Sequence, residues 1–220
     1  MTRVAIISAN LGGFDQPVEP VPQVGQVQVD YHCVTSVELP PRPKSLSPRL
    51  QAKIPKMFGW DLYPGYDAYL WVDASLAVSS PDTTTWFLDR LGQSDIAVFR
   101  HPFRATAQAE ADYVQTKMAA GNHYLLSRYE HEDTAGQLRA LAQEPSFVDD
   151  RLYAAGAFCY RPTARLQAAM ASWWCHTSRF HVIDQLAFPF VLWQHQCAVQ
   201  VIPEDIYHAS HLTWIRRRRG

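Results

Sequence analysis

Residues 66–80 read YDAYLWVDASLAVSS. An apolar run from Ala68 to Val72 meets one carboxylate, Asp73, and apolar residues resume at Leu76, Ala77 and Val78. The run predicts a strand over 68–78. A carboxylate buried without a partner costs several kcal/mol or neutralises itself. Either Asp73 has a partner, or the strand ends there and the side chain points into a site. In open α/β sheets ligands gather at the carboxyl ends of strands, which gives the second alternative a function.

Outward from this stretch, the pattern alternates between strands and helices. VAII at 4–7 runs into SANLGG, a strand feeding a glycine-containing loop. VQVDYHCVT alternates with period two and predicts a second strand. LPPRPKSLSP, over 39–48, is a proline-rich surface connection. Ser47 followed by Pro48 marks a helix start. TTTWFLDRL is a short capped helix, DIAVF a strand, and 105–129 a helix-rich stretch. TAGQLRALAQE is a further helix, YAAGAFCYR a strand, and the segment carrying Trp173 and Trp174 a helix. VIDQLAFPFVLWQHQ is helical with a start or kink near Pro189, and AVQVI is the last strand. This alternation predicts an α/β fold, a Rossmann-like single domain over 1–220 with a central, mainly parallel sheet flanked by helices.

Composition narrows the functional classes. The 220 residues are 47% hydrophobic and 19% charged, a core-forming balance rather than a disordered one. The formal net charge of −1 provides no global field for nucleic acid or anionic membrane. Cys33, Cys159, Cys175 and Cys197 show no CxxC or zinc-finger spacing, and are expected to be reduced thiols in or near the core. LAFPFVLW, the longest apolar run, is far short of a membrane span, and the N-terminal run is too short for a signal sequence. The expected compartment is the cytoplasm.

Several constellations carry chemistry, each beside a plainer alternative. Asp73 with Ser75 resembles a short acidic strand-end motif that holds a divalent metal against a diphosphate; the alternative is a turn cap or an ion pair. Arg49, Lys53 and Lys56 share one helix face, suited to a departing nucleotide diphosphate or to plain solvation. RHPFRATAQAEAD places His101, Arg104 and Glu110 near a strand end, where a lone histidine is more often structural. Ala154, Ala155, Gly156 and Ala157 permit close approach of a ligand or of packed backbone. Asp184 and Gln185 interrupt an apolar stretch. His208 or His211 offers an imidazole to a metal.

The order of these pieces resembles a nucleotide-sugar glycosyltransferase of the GT-A fold. It is similar in particular to a glycosyltransferase-like domain family, once of unknown function, typified by plant proteins of mucilage and pectin synthesis. AKIPKMF, YLWVDASLAV, HPFR followed by AEA, and DQLAFPFVLW carry the resemblance, over roughly residues 47–195. It implies a hexosyl- or pentosyltransferase moving sugar from a nucleotide-diphosphate sugar to a glycan or other hydroxyl acceptor. It implies that Asp73 positions a manganese or magnesium ion and the sugar diphosphate; His208, with His211 as the alternative, is the candidate for a further metal ligand. Ser8, Asn10, Arg49, Lys53, Lys56, Asp73, Ser75, His101, Arg104, Gly156 and Gln185 become donor-binding residues. Asp184 becomes a catalytic base if the enzyme inverts, and an orienting group for the donor sugar if it retains. Two departures stand out: Ser75 replaces the second acidic residue, and alanine stands where relatives often have asparagine.

Other readings are a non-catalytic nucleotide- or sugar-binding module of the same fold, and a metal-dependent hydrolase using Asp73, His101 and the terminal histidines. A nucleic-acid acceptor, touched by the Arg216–Arg219 run, is weighed against a solvated tail, which the net charge of −1 favours. The seven tryptophans are expected mostly in the core.

Overall fold

The computed structural model describes residues 1–13, 18, 20–39 and 46–215. Arg216–Arg219 and most of the proline-rich connection lie outside the described residues.

Six strands form the central sheet: β1 (Thr2–Ala9), β2 (Val27–Val34), β3 (Ala68–Val72), β5 (Ile96–Arg100), β6 (Tyr153–Tyr160) and β7 (Val199–Ile202), in the order β2-β1-β3-β6-β5-β7. β1 pairs in parallel with β2 and β3, and β5 in parallel with β7. β6 is inserted antiparallel between β3 and β5. The fold class is therefore α/β with a mainly parallel sheet flanked by helices, as expected. Its one reversed strand was not legible in the sequence, because a strand covered on both faces reads as a continuous apolar run whichever way it points.

Side-chain alternation explains the two cores. Ala5, Ile7 and Ala9 of β1 and Tyr69 and Trp71 of β3 enter one cluster, with Phe158, Tyr160, Trp173 and Phe188. Val4 and Ile6 of β1 and Ala68, Leu70 and Val72 of β3 enter the other, with Phe87, Phe99 and Ile202. The first cluster packs under α2 (Lys53–Leu62), α7 (Ala164–Arg179) and α8 (Phe188–Gln194), where Trp173 and Phe188 stack at 3.9 Å. α2 lies close on β1 because residue 59 is glycine: a Cβ there would overlap Ile7 Cδ1. The remaining helices are α1 (Pro48–Gln51), α3 (Thr83–Leu91), α4 (Ala107–Ala119), α5 (His123–Tyr129) and α6 (Thr134–Ala142). Short 3-10 turns cover Leu11–Gly13 and Asp184–Leu186.

The expected single strand over 68–78 is two strands in two sheets. β3 stops at Val72, Asp73–Ser75 turn, and β4 (Leu76–Val78) pairs with β8 (Leu212–Trp214) in a separate antiparallel ribbon. The Asp73 amide donates to Gly156 O at 2.7 Å, and the Leu76 amide to Asp73 O at 2.8 Å. β6 breaks register with β5 between Val98 and Phe99, so Ala155 and Gly156 are released toward the Asp73 turn.

The cysteine expectation needs a correction. Cys159 is buried and Cys197 partly so, but Cys33, on the edge strand β2, and Cys175, on the outer side of α7, are exposed; all four are free thiols. Among the described residues no helix is long and apolar enough to cross a membrane.

Candidate active site

A cavity of about 420 Å³ opens at the carboxyl ends of β1 and β3. Asn10, Arg49, Lys53, Lys56, Asp73 and Ser75, all singled out from the sequence, line it. The helix start explains the basic face: Ser47 accepts the Leu50 amide at 3.2 Å and Pro48 occupies the first turn. α1 and α2 meet at Ala52, and Arg49, Lys53 and Lys56 project into the cavity from the same side.

Its floor is a buried ion cluster. Asp184 Oδ2 lies 2.8 Å from Lys53 Nζ and 2.6 Å from Lys56 Nζ. Lys56, only 2% exposed, also reaches Asp73 Oδ1 at 3.5 Å and lies 5.7 Å and 5.6 Å from the ring centroids of Trp71 and Trp173. Trp71 Nε1 donates to Asp73 Oδ1 at 2.7 Å and fixes that carboxylate, while Trp173 Nε1 donates to the Asp184 backbone carbonyl at 2.6 Å and fixes the main chain that carries the second. Burial pushes the Asp184 carboxyl up, but the two ammonium groups overcome it and hold the pKa to about 2. Burial pushes Lys53 down; the charges of Asp184 and Asp73 outweigh that and raise it above the ordinary lysine value.

This geometry bears on the roles expected of Asp184. A carboxylate clamped by two ammonium groups is a poor proton acceptor, and Asp184 sits beneath the lysines rather than on the cavity wall. It is better suited to positioning Lys53 and Lys56 than to acting as a base.

The other candidates separate. His101 and Arg104 line a second cavity of about 520 Å³. Gln185 Nε2 donates to Glu110 Oε1 at 2.7 Å, and Glu110 Oε2 accepts from Arg104 Nε. The HPFR, AEA and DQL motifs thus converge on Glu110, with Asp184 facing the lysines on one side and Gln185 facing Glu110 on the other. His101 Nδ1 accepts the amides of Phe103 and Arg104, which places the proton of its neutral ring on Nε2; burial lowers its pKa. Ser8 is buried and lines neither cavity. Gly156 packs beside Asp73: a Cβ there would lie 3.6 Å from Asp73 Oδ2.

The metal expectation fits these residues poorly. At the strand end there is one carboxylate, with one oxygen taken by an indole and an ammonium group, and a hydroxyl at Ser75. His208 is exposed and pairs with Asp205 at 2.8 Å, lining neither cavity. His211 stacks on Trp86 at 4.6 Å. Among the described residues no three His, Cys, Asp or Glu side chains converge where they would hold an ion. The same separation removes the hydrolase arrangement, since Asp73, His101 and the terminal histidines share no cavity.

Sequence reasoning missed part of the wall: Tyr124, Arg128 and Tyr129 from α5, and Trp214 and Ile215 from the end of the described chain. The Arg128 guanidinium lies 4.0 Å from the Tyr124 ring centroid, its Nε buried without a partner among the described residues. Arg49, Lys53, Lys56 and Arg128 stand on the wall, and they still outnumber the carboxylates when Asp184, beneath the two lysines, is counted with Asp73.

Just before Asp184, His181 has a side chain 0% exposed. Its Nδ1 accepts the Ile183 amide at 2.9 Å, and Nε2 meets no acceptor among the described residues. Burial pushes its pKa from 6.5 to about 4, with the Glu132 carboxylate 3.9 Å away. The folded state therefore binds fewer protons than the unfolded state between these values. Its stabilisation is complete above the unfolded value and is lost as pH falls toward 4. The melting temperature is expected to drop across that window, and His181→Gln to flatten the drop. An unchanged profile would assign the titration elsewhere.

No protein-family model and no curated protein sequence matches the chain, so the likeness to the plant mucilage and pectin family remains a reading of motifs. Similar solved structures include mouse xyloside xylosyltransferase 1, at 10% identity and TM-score 0.42 over 80% of this chain and 63% of that one. They include the bifunctional glycosyltransferase WbbM, at 10% identity and TM-score 0.49 over 92% of this chain and 39% of that one. A197 from STIV matches at 6% identity and TM-score 0.35, over 92% and 82%. The chain thus spans less than two thirds of the first two proteins. At these scores the likeness is one of architecture and carries no information about activity.

Proposed function

We propose that the chain is a GT-A-like glycosyltransferase that binds the diphosphate of a nucleotide sugar in the cavity at the ends of β1 and β3. The observation that carries this reading is the Lys53–Asp184–Lys56 clamp beside Asp73, in a wall with an excess of cations. In sugar transfer the bond between the anomeric carbon and the diphosphate oxygen breaks, and its electron pair leaves on that oxygen. An acceptor hydroxyl bonds to the carbon and gives up its proton. Ammonium groups fixed in advance stabilise the charge developing on the leaving group. Lys53, 18% exposed in its side chain, is placed to touch the diphosphate, and Lys56 supports it from beneath. Asp73, with a side chain 38% exposed, is better placed than Asp184 to orient the donor sugar or take the acceptor proton. Asn10, at the end of β1, is assigned to the nucleoside side.

In this reading the lysines supply the charge compensation that the sequence motif suggested for a divalent ion. The test is thermal-shift screening of nucleoside diphosphates and nucleotide sugars with manganese or with EDTA, followed by product analysis. One nucleotide family is expected to stabilise the wild type in EDTA, with the shift reduced in Lys53→Ala. A shift that requires manganese would restore the ion. Binding without turnover of any sugar would make the chain a binding module, and no shift at all would remove the donor reading.

A further inference from the structure

Among the exposed aromatic side chains, Trp214 at 44% exposure stands on the wall of the cation-lined cavity, and Tyr207 at 39% and Phe103 at 68% lie beyond it. They form a row. Phe103 and Tyr207 lie 5.8 Å apart with ring planes 24° from parallel, and Tyr207 and Trp214 lie 5.1 Å apart, edge to face. The ends of the row are placed by the fold. Trp214 is on β8, paired with Leu76 immediately after the Asp73 turn, and lines the first cavity. Phe103 belongs to the HPFR loop and lines the second. The aromatic surface therefore runs from the proposed donor site to the cavity around His101.

Polar groups flank it. The Asp205 carboxylate accepts the Tyr207 amide at 2.9 Å and pairs with His208. His101, 7% exposed, has its Nε2 3.5 Å from the Arg104 guanidinium, at the edge of the second cavity. Arg104 is already engaged by Glu110 and adds no uncompensated charge.

We propose that this row is the acceptor track, and that the acceptor is an oligosaccharide lying across Trp214, Tyr207 and Phe103. The proposal rests on the glycosyltransferase reading for its direction, with the reacting end at Trp214 beside Asp73. The C–H face of a sugar ring is apolar and slightly positive, and it stacks on the negative face of an aromatic ring. Its hydroxyls at the ring edge need donors and acceptors, which the exposed His208 and the partly exposed Asp205 supply. A nucleic acid would instead need basic groups along the row, and a carboxylate stands beside it at Asp205.

The test is calorimetric titration of the purified chain with xylo-, cello-, malto- and chito-oligosaccharides of increasing length, with a single-stranded oligonucleotide as control. Wild type and the variants Tyr207→Leu and Phe103→Leu are compared, and melting curves verify that each variant folds. One sugar series is expected to bind, and to tighten with length until the row is covered. Each variant is expected to weaken the longer members about tenfold, the equivalent of one lost stacking contact. The melting shift caused by nucleoside diphosphate should be the same in both variants as in wild type. The track is overturned if no series binds, if the variants bind as wild type does, or if only the oligonucleotide binds. An intact nucleotide shift in those cases leaves the donor reading standing. Oligosaccharide binding that depends on Tyr207 without any nucleotide shift would remove the donor reading and overturn the acceptor role, leaving an oligosaccharide-binding surface.

Discussion

Asp184→Asn is expected to lower unfolding free energy by about 3 kcal/mol, because it leaves one buried and one partly buried ammonium group without their common counter-ion. Lys56 is 2% exposed, and its remaining partner, Asp73, lies at 3.5 Å rather than 2.6 Å. In a chain of this size the loss corresponds to a fall in melting temperature of roughly 6–12 °C. Thermal or urea unfolding measures it. The stabilisation supplied by Asp184 is present above the ordinary carboxyl value of 3.8 and disappears as pH falls through its folded value of about 2. The cluster can also be replaced outright. Asp184→Leu combined with Lys53→Met and Lys56→Met should recover most of the stability, since a buried ion cluster is seldom more stabilising than apolar packing. The same combination should abolish nucleotide binding. Recovery of stability together with retained binding would show that the cluster has no part in function.

Lys53→Ala is expected to weaken nucleoside diphosphate binding by about 10- to 100-fold, the range of a charge-assisted hydrogen bond. Stability should change less than in Asp184→Asn, because Lys56 still neutralises Asp184 and the Lys53 side chain is 18% exposed. Turnover with a nucleotide sugar should fall at least as far as affinity, since the charge on the leaving diphosphate is greatest in the transition state. Calorimetric affinity and initial rates measure both effects. Affinity unchanged in Lys53→Ala would remove the diphosphate from this wall of the cavity.

Local patterns in the sequence led a long way toward this site. The Ser47-Pro48 helix start and the spacing of Arg49, Lys53 and Lys56 put three cations on the cavity wall. A carboxylate set against an apolar run marked the end of β3. What stayed hidden depends on contacts distant in sequence. Nothing near Asp184 announces that two lysines some 130 positions earlier will clamp it, which is why a base role looked open to it. β8 is three residues long and too short to register as a strand, so Trp214 gave no sign of its place beside Asp73. Arg128 lies on a short helix with no buried face, where a cation reads as ordinary surface. His208 looked like a metal ligand only because distance along the chain says nothing of distance in space.

The ribbon of β4 and β8 has a consequence for biosynthesis. The turn that carries Asp73 is held by partners far later in the sequence: Ser75 O accepts the Ile215 amide at 2.8 Å, and Leu76 lies opposite Trp214. A chain emerging from the ribosome can therefore assemble β1, β2 and β3 long before the Asp73 turn acquires its final shape. The cavity wall is complete only once residues 212–215 have been translated, and a nascent chain stalled earlier would carry the lysine cluster without Trp214 and Ile215 beside it.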